Sequence, residues 1–150
     1  MLRKNIKSKK YPTRTQHQGM VKIVRAGAAS QPYGMQLLLD GYEADPDKLS
    51  DVGLLYKTLN ALPDQIGMTK IGFPQIVQFT GKPIAGISGF IFIVESHISV
   101  HTYSAQRFIS VDVYSCKPFQ PKTVVQLLKD VYAIKKVDSK VLARGKFFKR

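Results

Sequence analysis

Gly86-Ile-Ser-Gly-Phe-Ile-Phe-Ile-Val-Glu-Ser-His-Ile-Ser-Val-His-Thr-Tyr103 is the stretch from which the rest of the chain can be read. An apolar run over residues 87–94 ends in Glu95, Ser96 and His97, and a second strand-like run over 97–103 follows almost at once. A third occupies 107–115. Runs rich in β-branched and aromatic residues with such short breaks read as an antiparallel meander. Nucleophilic and titratable groups at the end of a buried strand are costly unless something uses them. Ser96 therefore marks the candidate site, and Cys116, the one cysteine of the chain, follows fifteen residues after His101.

Outward from the meander, residues 70–79 read as a strand interrupted by Gly72 and Pro74, the pattern of an edge or a bulge. Residues 35–42 read as a first strand, and Leu37-Leu38-Leu39 implies burial on both of its faces. Between these two, Asp45 is a cap candidate with Pro46 at the first helical position. Leu49, Val52, Leu55, Tyr56 and Leu59 then form an apolar stripe at helical spacing, which Pro63 is expected to end. Pro121 opens a second helix with a stripe of Val124, Leu127, Leu128 and Val131, and residues 134–142 make a last strand. The order β-α-β-β-β-β-α-β predicts an α+β fold, a two-layer sandwich with two helices on one face of a mostly antiparallel sheet. The other face is left bare, so a homodimer or higher oligomer is expected to cover it.

With 150 residues, 44% of them apolar and 22% charged, the chain has the size and composition of one soluble domain. No segment approaches the ~20 apolar residues of a membrane span, and the basic N-terminus lacks the apolar core of a secretory signal. A lone cysteine forms no internal disulfide, so a reducing, cytoplasmic location is expected. The net charge of +13 is unevenly placed. Residues 1–25 hold eight of the 23 Lys and Arg, residues 133–150 hold seven, and the stretch between has eight against nine acids. We read residues 1–30 as a flexible basic arm, 31–145 as the domain and 146–150 as a basic tail. Such arms either bind polyanions such as nucleic acid by counterion release or remain solvated, and the composition leaves both open.

Familiar site chemistries do not fit. Gly86-Ile-Ser-Gly-Phe lacks the second glycine of a nucleophile elbow at the right spacing. Ser96, His101 and Asp112 make a triad only on paper. His97 and His101 share a strand face, but with only His17 and Cys116 besides, a three- or four-ligand zinc site is not expected.

Glu-Ser-His-Ile-Ser-Val-His-Thr, preceded by Gly-Ile-Ser-Gly and followed by Val-Asp-Val-Tyr-Ser-Cys, resembles the core of the bacterial and archaeal S-adenosylmethionine decarboxylases. The resemblance is dense from Gly86 to Cys116 and looser from Gln31 to Gly145. It implies a proenzyme of polyamine (spermidine) biosynthesis that cuts itself between Glu95 and Ser96. Ser96 would become a pyruvoyl group that forms a Schiff base with a small cationic amine substrate, with neither pyridoxal phosphate nor a metal. Ser88 and His101 match the residues that assist processing, and Cys116 matches the proton donor. Tyr103 matches an aromatic that either stacks on an adenine or packs on the sheet. Ala105 stands where the family commonly has a glutamate for the ribose hydroxyls, with Glu43 or Asp45 as candidate replacements. S-adenosylmethionine is the substrate implied by the resemblance. L-ornithine or L-arginine with the same cofactor, and a non-catalytic regulatory member, are the alternatives.

Overall fold

The computed structural model describes residues 32–81 and 84–148. The expected arm of residues 1–30, Gln31, and Lys82 and Pro83 of the expected turn lie outside them. The elements run β1 (Gly34–Tyr42), α1 (Pro46–Ser50), α2 (Val52–Gln65), β2 (Lys70–Phe79), β3 (Gly86–Ile93), β4 (Ser96–Tyr103), β5 (Phe108–Ser115), α3 (Pro121–Tyr132) and β6 (Lys136–Arg144). The strands form one sheet in the order β2-β3-β4-β5-β1-β6, with every neighbouring pair antiparallel. The predicted meander is β2 to β5, with β1 and β6 added at its far side.

Alternation along the strands sorts the residues onto two faces. Ile87, Ile91, Ile98, Val100, Val111 and Val113 turn inward and are buried with Leu49, Leu55, Leu59, Val124 and Leu128 of the three helices. The approach is closest at Gly89, where an added Cβ would lie 2.4 Å from Leu59 Cδ1 of α2 and 2.8 Å from Ile76 Cδ1. Among the described residues no layer covers the opposite face. It carries a run of rings, Phe92 to Phe90 to His97 to Tyr114, with centroids 4.6, 5.5 and 5.7 Å apart. Ile71, Val77 and Phe92 are more than half exposed.

The first helix differs from expectation by being two. Asp51 adopts extended backbone (φ −84°, ψ 103°), and its carboxylate accepts the Leu54 N–H at 2.9 Å as a fresh N-cap. The stripe therefore changes phase. Leu55, Thr58, Leu59 and Leu62 are buried in α2, whereas Val52 and Tyr56 face solvent. Pro63 does not stop α2, which continues to Gln65. So near the end the missing N–H removes a single helical bond, and the Pro63 carbonyl accepts from the Ile66 and Met68 amides. Leu38 is exposed on the bare face rather than buried, opposite Asp112 and Lys140 in the register. In α3, Val124, Leu128 and Tyr132 are the buried positions, with Leu127 and Val131 only partly so. The last strand starts and ends two residues later than expected, and a turn closed by Phe148 N–H on Gly145 O folds the following segment back. Among the described residues no helix is long and apolar enough to cross a membrane.

Candidate active site

Two residues, Val94 and Glu95, join β3 to β4, with a cis peptide bond between them. The Val94 N–H donates to Thr69 O at 2.9 Å, which ties this turn to the chain entering β2. Ser96 is the first residue of β4 and pairs with Ile93. At the same end of the sheet, the buried hydroxyl of Ser115 closes β5: it accepts the Lys117 N–H at 3.0 Å and donates to Met68 Sδ at 3.4 Å. That bend sets Cys116 against Ser96. The Cys116 N–H donates to Ser96 Oγ at 3.0 Å, and Cys116 Sγ lies 3.4 Å from the same oxygen.

The carbonyl of Glu95 receives two donors. The Ser96 hydroxyl reaches it at 2.5 Å and the Cys116 thiol at 3.1 Å. A nucleophilic hydroxyl thus sits on the carbonyl that precedes it, and that oxygen already faces the thiol donor. A cavity of about 580 Å³ opens beside them, bordered by Tyr33, Val94, Glu95, Cys116 and Lys117.

Two tyrosines flank the thiol: Tyr114 stands in the Val-Asp-Val-Tyr-Ser-Cys motif with no role read for it, and Tyr33 lies outside the motifs. Tyr33, just before β1, donates to Glu95 Oε2 at 3.0 Å and hydrogen-bonds to Cys116. Those bonds to Cys116 and then Glu95, with burial and the charge of both partners adding to them, hold its phenol well above the ordinary range. Tyr114 is pushed up as well, by burial first and then by the charge and hydrogen bonding of Cys116, against the opposing charge of Arg144. The Arg144 guanidinium lies over the Tyr114 ring at 5.1 Å and donates to Gln36 Oε1, while Gln36 Nε2 donates to both oxygens of Asp112 at 2.8 Å.

The other two expected site residues also meet, but elsewhere. Ser88 and His101 are direct partners across β3 and β4, with Ser88 Oγ 2.8 Å from His101 Nδ1. Alternation puts them on the bare face, and His101 is five residue steps along β4 from Ser96, about 16 Å of backbone at ~3.3 Å per residue. Within one chain the Ser88–His101 pair does not reach the Ser96–Cys116 pair. Tyr103 packs between Phe79 and Phe108, at 6.4 and 5.9 Å, at the far end of β4. Ala105 lies in the turn beyond it. Glu43 is close to that end through its carbonyl, which accepts from Arg107 Nη2 at 3.5 Å, and Asp45 caps α1 through the Asp47 and Lys48 amides. Among the described residues no group of three His, Cys, Asp or Glu is placed to hold a metal ion.

A family model described as S-adenosylmethionine decarboxylase matches residues 35–145. A protein from Clostridium botulinum named S-adenosylmethionine decarboxylase proenzyme is 32% identical over 114 residues, which is 75% of this chain and 95% of that protein. A protein of the same name from Symbiobacterium thermophilum is 31% identical over 118 residues, 78% of this chain and 86% of that one. Among solved structures, the adenosylmethionine decarboxylase from Aquifex aeolicus superposes with a TM-score of 0.69 at 28% identity, covering 81% of this chain and 98% of that one.

Proposed function

The chain belongs to the S-adenosylmethionine decarboxylase family, and on that premise we propose that it is a self-processing, pyruvoyl-dependent enzyme that decarboxylates S-adenosylmethionine. The observation that carries the proposal is the Ser96 hydroxyl set on the Glu95 carbonyl, with the Cys116 thiol donating to the same oxygen. Ser96 Oγ attacks that carbonyl carbon, and the thiol stabilises the charge that develops on oxygen. The amide becomes an ester as the C–N bond breaks and the nitrogen takes the hydroxyl proton. Loss of the Ser96 α-proton then expels Oγ, which leaves as part of the new Glu95 carboxylate. Residue 96 is left as dehydroalanine, and water displaces its nitrogen as ammonia to give the pyruvoyl group.

The surroundings fit that group. Glu95 and Cys116, both against residue 96, border the cavity, and Cys116 offers an N–H and a thiol within 3.4 Å of the Ser96 side chain. When formed, the group supplies a carbonyl that engages the substrate amine and draws off electrons as carbon dioxide leaves. Cys116 holds a proton beside residue 96, where the substrate carbon that loses carbon dioxide must take one up.

Removal of the α-proton needs a base, and the imidazole with the matching role, His101, stands about 16 Å away on the opposite strand face. We propose that the active unit is a homodimer in which a two-fold contact through this sheet face sets each copy's Ser88–His101 pair against the other's Glu95–Ser96 turn. The intact mass of the protein under denaturing conditions tests the cofactor. Two chains, residues 1–95 and 96–150, are expected, the second with pyruvoyl replacing serine. A single uncut chain after long incubation would overturn the proposal.

A further inference from the structure

We infer that Tyr33 returns to Cys116 the proton this thiol gives up in each turnover, with Glu95 collecting that proton from water. The inference rests on the decarboxylase reading above. Exchange of a C–CO₂⁻ bond for a C–H bond consumes one proton per carbon dioxide released. If Cys116 supplies it, every cycle ends with a thiolate inside the site, and a second turnover waits until the S–H bond is remade.

The phenol of Tyr33 is the group in contact with both ends of the necessary path. It hydrogen-bonds to the Cys116 thiol and donates at 3.0 Å to Glu95 Oε2, and the Glu95 residue is exposed. Before turnover the phenol O–H is given to the Glu95 carboxylate and the thiol S–H to the Glu95 carbonyl. After turnover the phenol O–H breaks as the S–H forms, and the phenol regains a proton from the Glu95 carboxyl, which had taken one from water. Nothing but water is consumed. The raised affinity of the phenol for its proton keeps Tyr33 protonated between cycles, so its O–H breaks only as the Glu95 carboxyl replaces the proton.

The ring is also held in place independently of its hydroxyl. It packs against Phe148 with the rings tilted and their centroids 4.4 Å apart, and Gly145, at φ +66°, comes so close that a Cβ there would lie 2.6 Å from Tyr33 Cβ. Tyr33→Phe therefore removes the O–H and keeps the packing.

The test is Tyr33→Phe in the full-length protein. Its masses should show the same two chains as wild type. In rapid-quench kinetics the first turnover should run within about 2-fold of the wild-type rate, because Cys116 starts protonated, while later turnovers slow by roughly 10- to 100-fold. Imidazolium added to the buffer should restore the steady state in proportion to its concentration. A readout free of turnover comes from 3-fluorotyrosine at position 33 in the uncut Ser96→Ala protein. Its ¹⁹F titration midpoint should lie above that of the free fluorophenol and fall when Cys116→Ala is added. A first turnover slowed as much as the later ones would make Tyr33 merely structural. An unchanged steady state, or a midpoint indifferent to Cys116→Ala, would likewise overturn the relay. A wild-type protein that is cut and decarboxylates while Tyr33→Phe matches it sinks the relay alone, whereas an uncut wild type sinks both readings.

Discussion

Mixing two inactive variants tests whether His101 acts across a dimer. His101→Ala retains Ser96 but no base, and Ser96→Ala retains the base but nothing to cleave. Along β4, five residues at ~3.3 Å set the imidazole about 16 Å from the Ser96 backbone. Proton abstraction needs contact near ~3 Å, and a strand in a six-stranded sheet does not bend to close such a gap. Each variant alone should therefore remain a single chain. If the two are co-refolded in equal amounts and pair at random, about half of the dimers are mixed. In every mixed dimer the Ser96→Ala copy offers its His101 to the intact Ser96 of the other. About half of the His101→Ala chains, a quarter of all chains, should then be cut, and an isotopic label on one variant identifies which by mass. No cleavage in a mixture shown to contain mixed dimers, or cleavage of His101→Ala by itself, would refute the reasoning.

Gly89→Ala places a methyl carbon 2.4 Å from Leu59 Cδ1, with Leu59 fully buried. Overpacking of this kind costs about 1–3 kcal/mol, to be read as a lower urea midpoint, and an unchanged midpoint would mean that α2 lifts freely from the sheet. Tyr132 is buried under α2, donates to Thr58 Oγ1 at 3.3 Å, and is pushed up to about 12, chiefly by burial. The unfolded chain loses its phenol proton near pH 10 while the folded one keeps it. The stability this group contributes is therefore complete below about pH 10 and is lost as pH rises to about 12. Tyr132→Phe should flatten the fall in denaturant midpoint across that window, and an equally steep fall in the variant would assign alkaline unfolding to other groups.

What could be read from the sequence was what neighbouring residues decide among themselves. Apolar runs at 87–94, 97–103 and 107–115 are local signals, and they became β3, β4 and β5. Asp45 and Pro46 opened α1 as their chemistry requires. The division at Asp51 was hidden because Leu49, Val52, Leu55, Tyr56 and Leu59 read as one continuous stripe, whereas the Asp51 carboxylate competes for the Leu54 amide and restarts the turn. Burial of Leu38 was overestimated, since a triple leucine does not say whether both faces of its strand are covered. In the site, Ser96 and Cys116 were legible through resemblance, and the structure brings them together. Tyr33 was not: it meets Glu95 across 62 residues, and no periodicity records a contact made by chain folding. The separation of His101 from Ser96 was in principle countable from the strand spacing, but only the face assignment gave it meaning.

The place of the turn between β3 and β4 also decides what the proposed cleavage would do to the molecule. A break between Glu95 and Ser96 assigns β1, β2 and β3 to one polypeptide and β4, β5 and β6 to the other. In the sheet these alternate: β2 and β3 from the first, β4 and β5 from the second, then β1 from the first and β6 from the second. The fragments cannot part without opening the β3–β4, β5–β1 and β1–β6 ladders. While folded, the nicked molecule would be held together by those three ladders. Once unfolded, it must reassemble from separate pieces whose recovery depends on their concentration, with the loop-closure advantage of a single chain gone. On the proposed cleavage, the working life of the mature molecule would be set by how slowly it first opens.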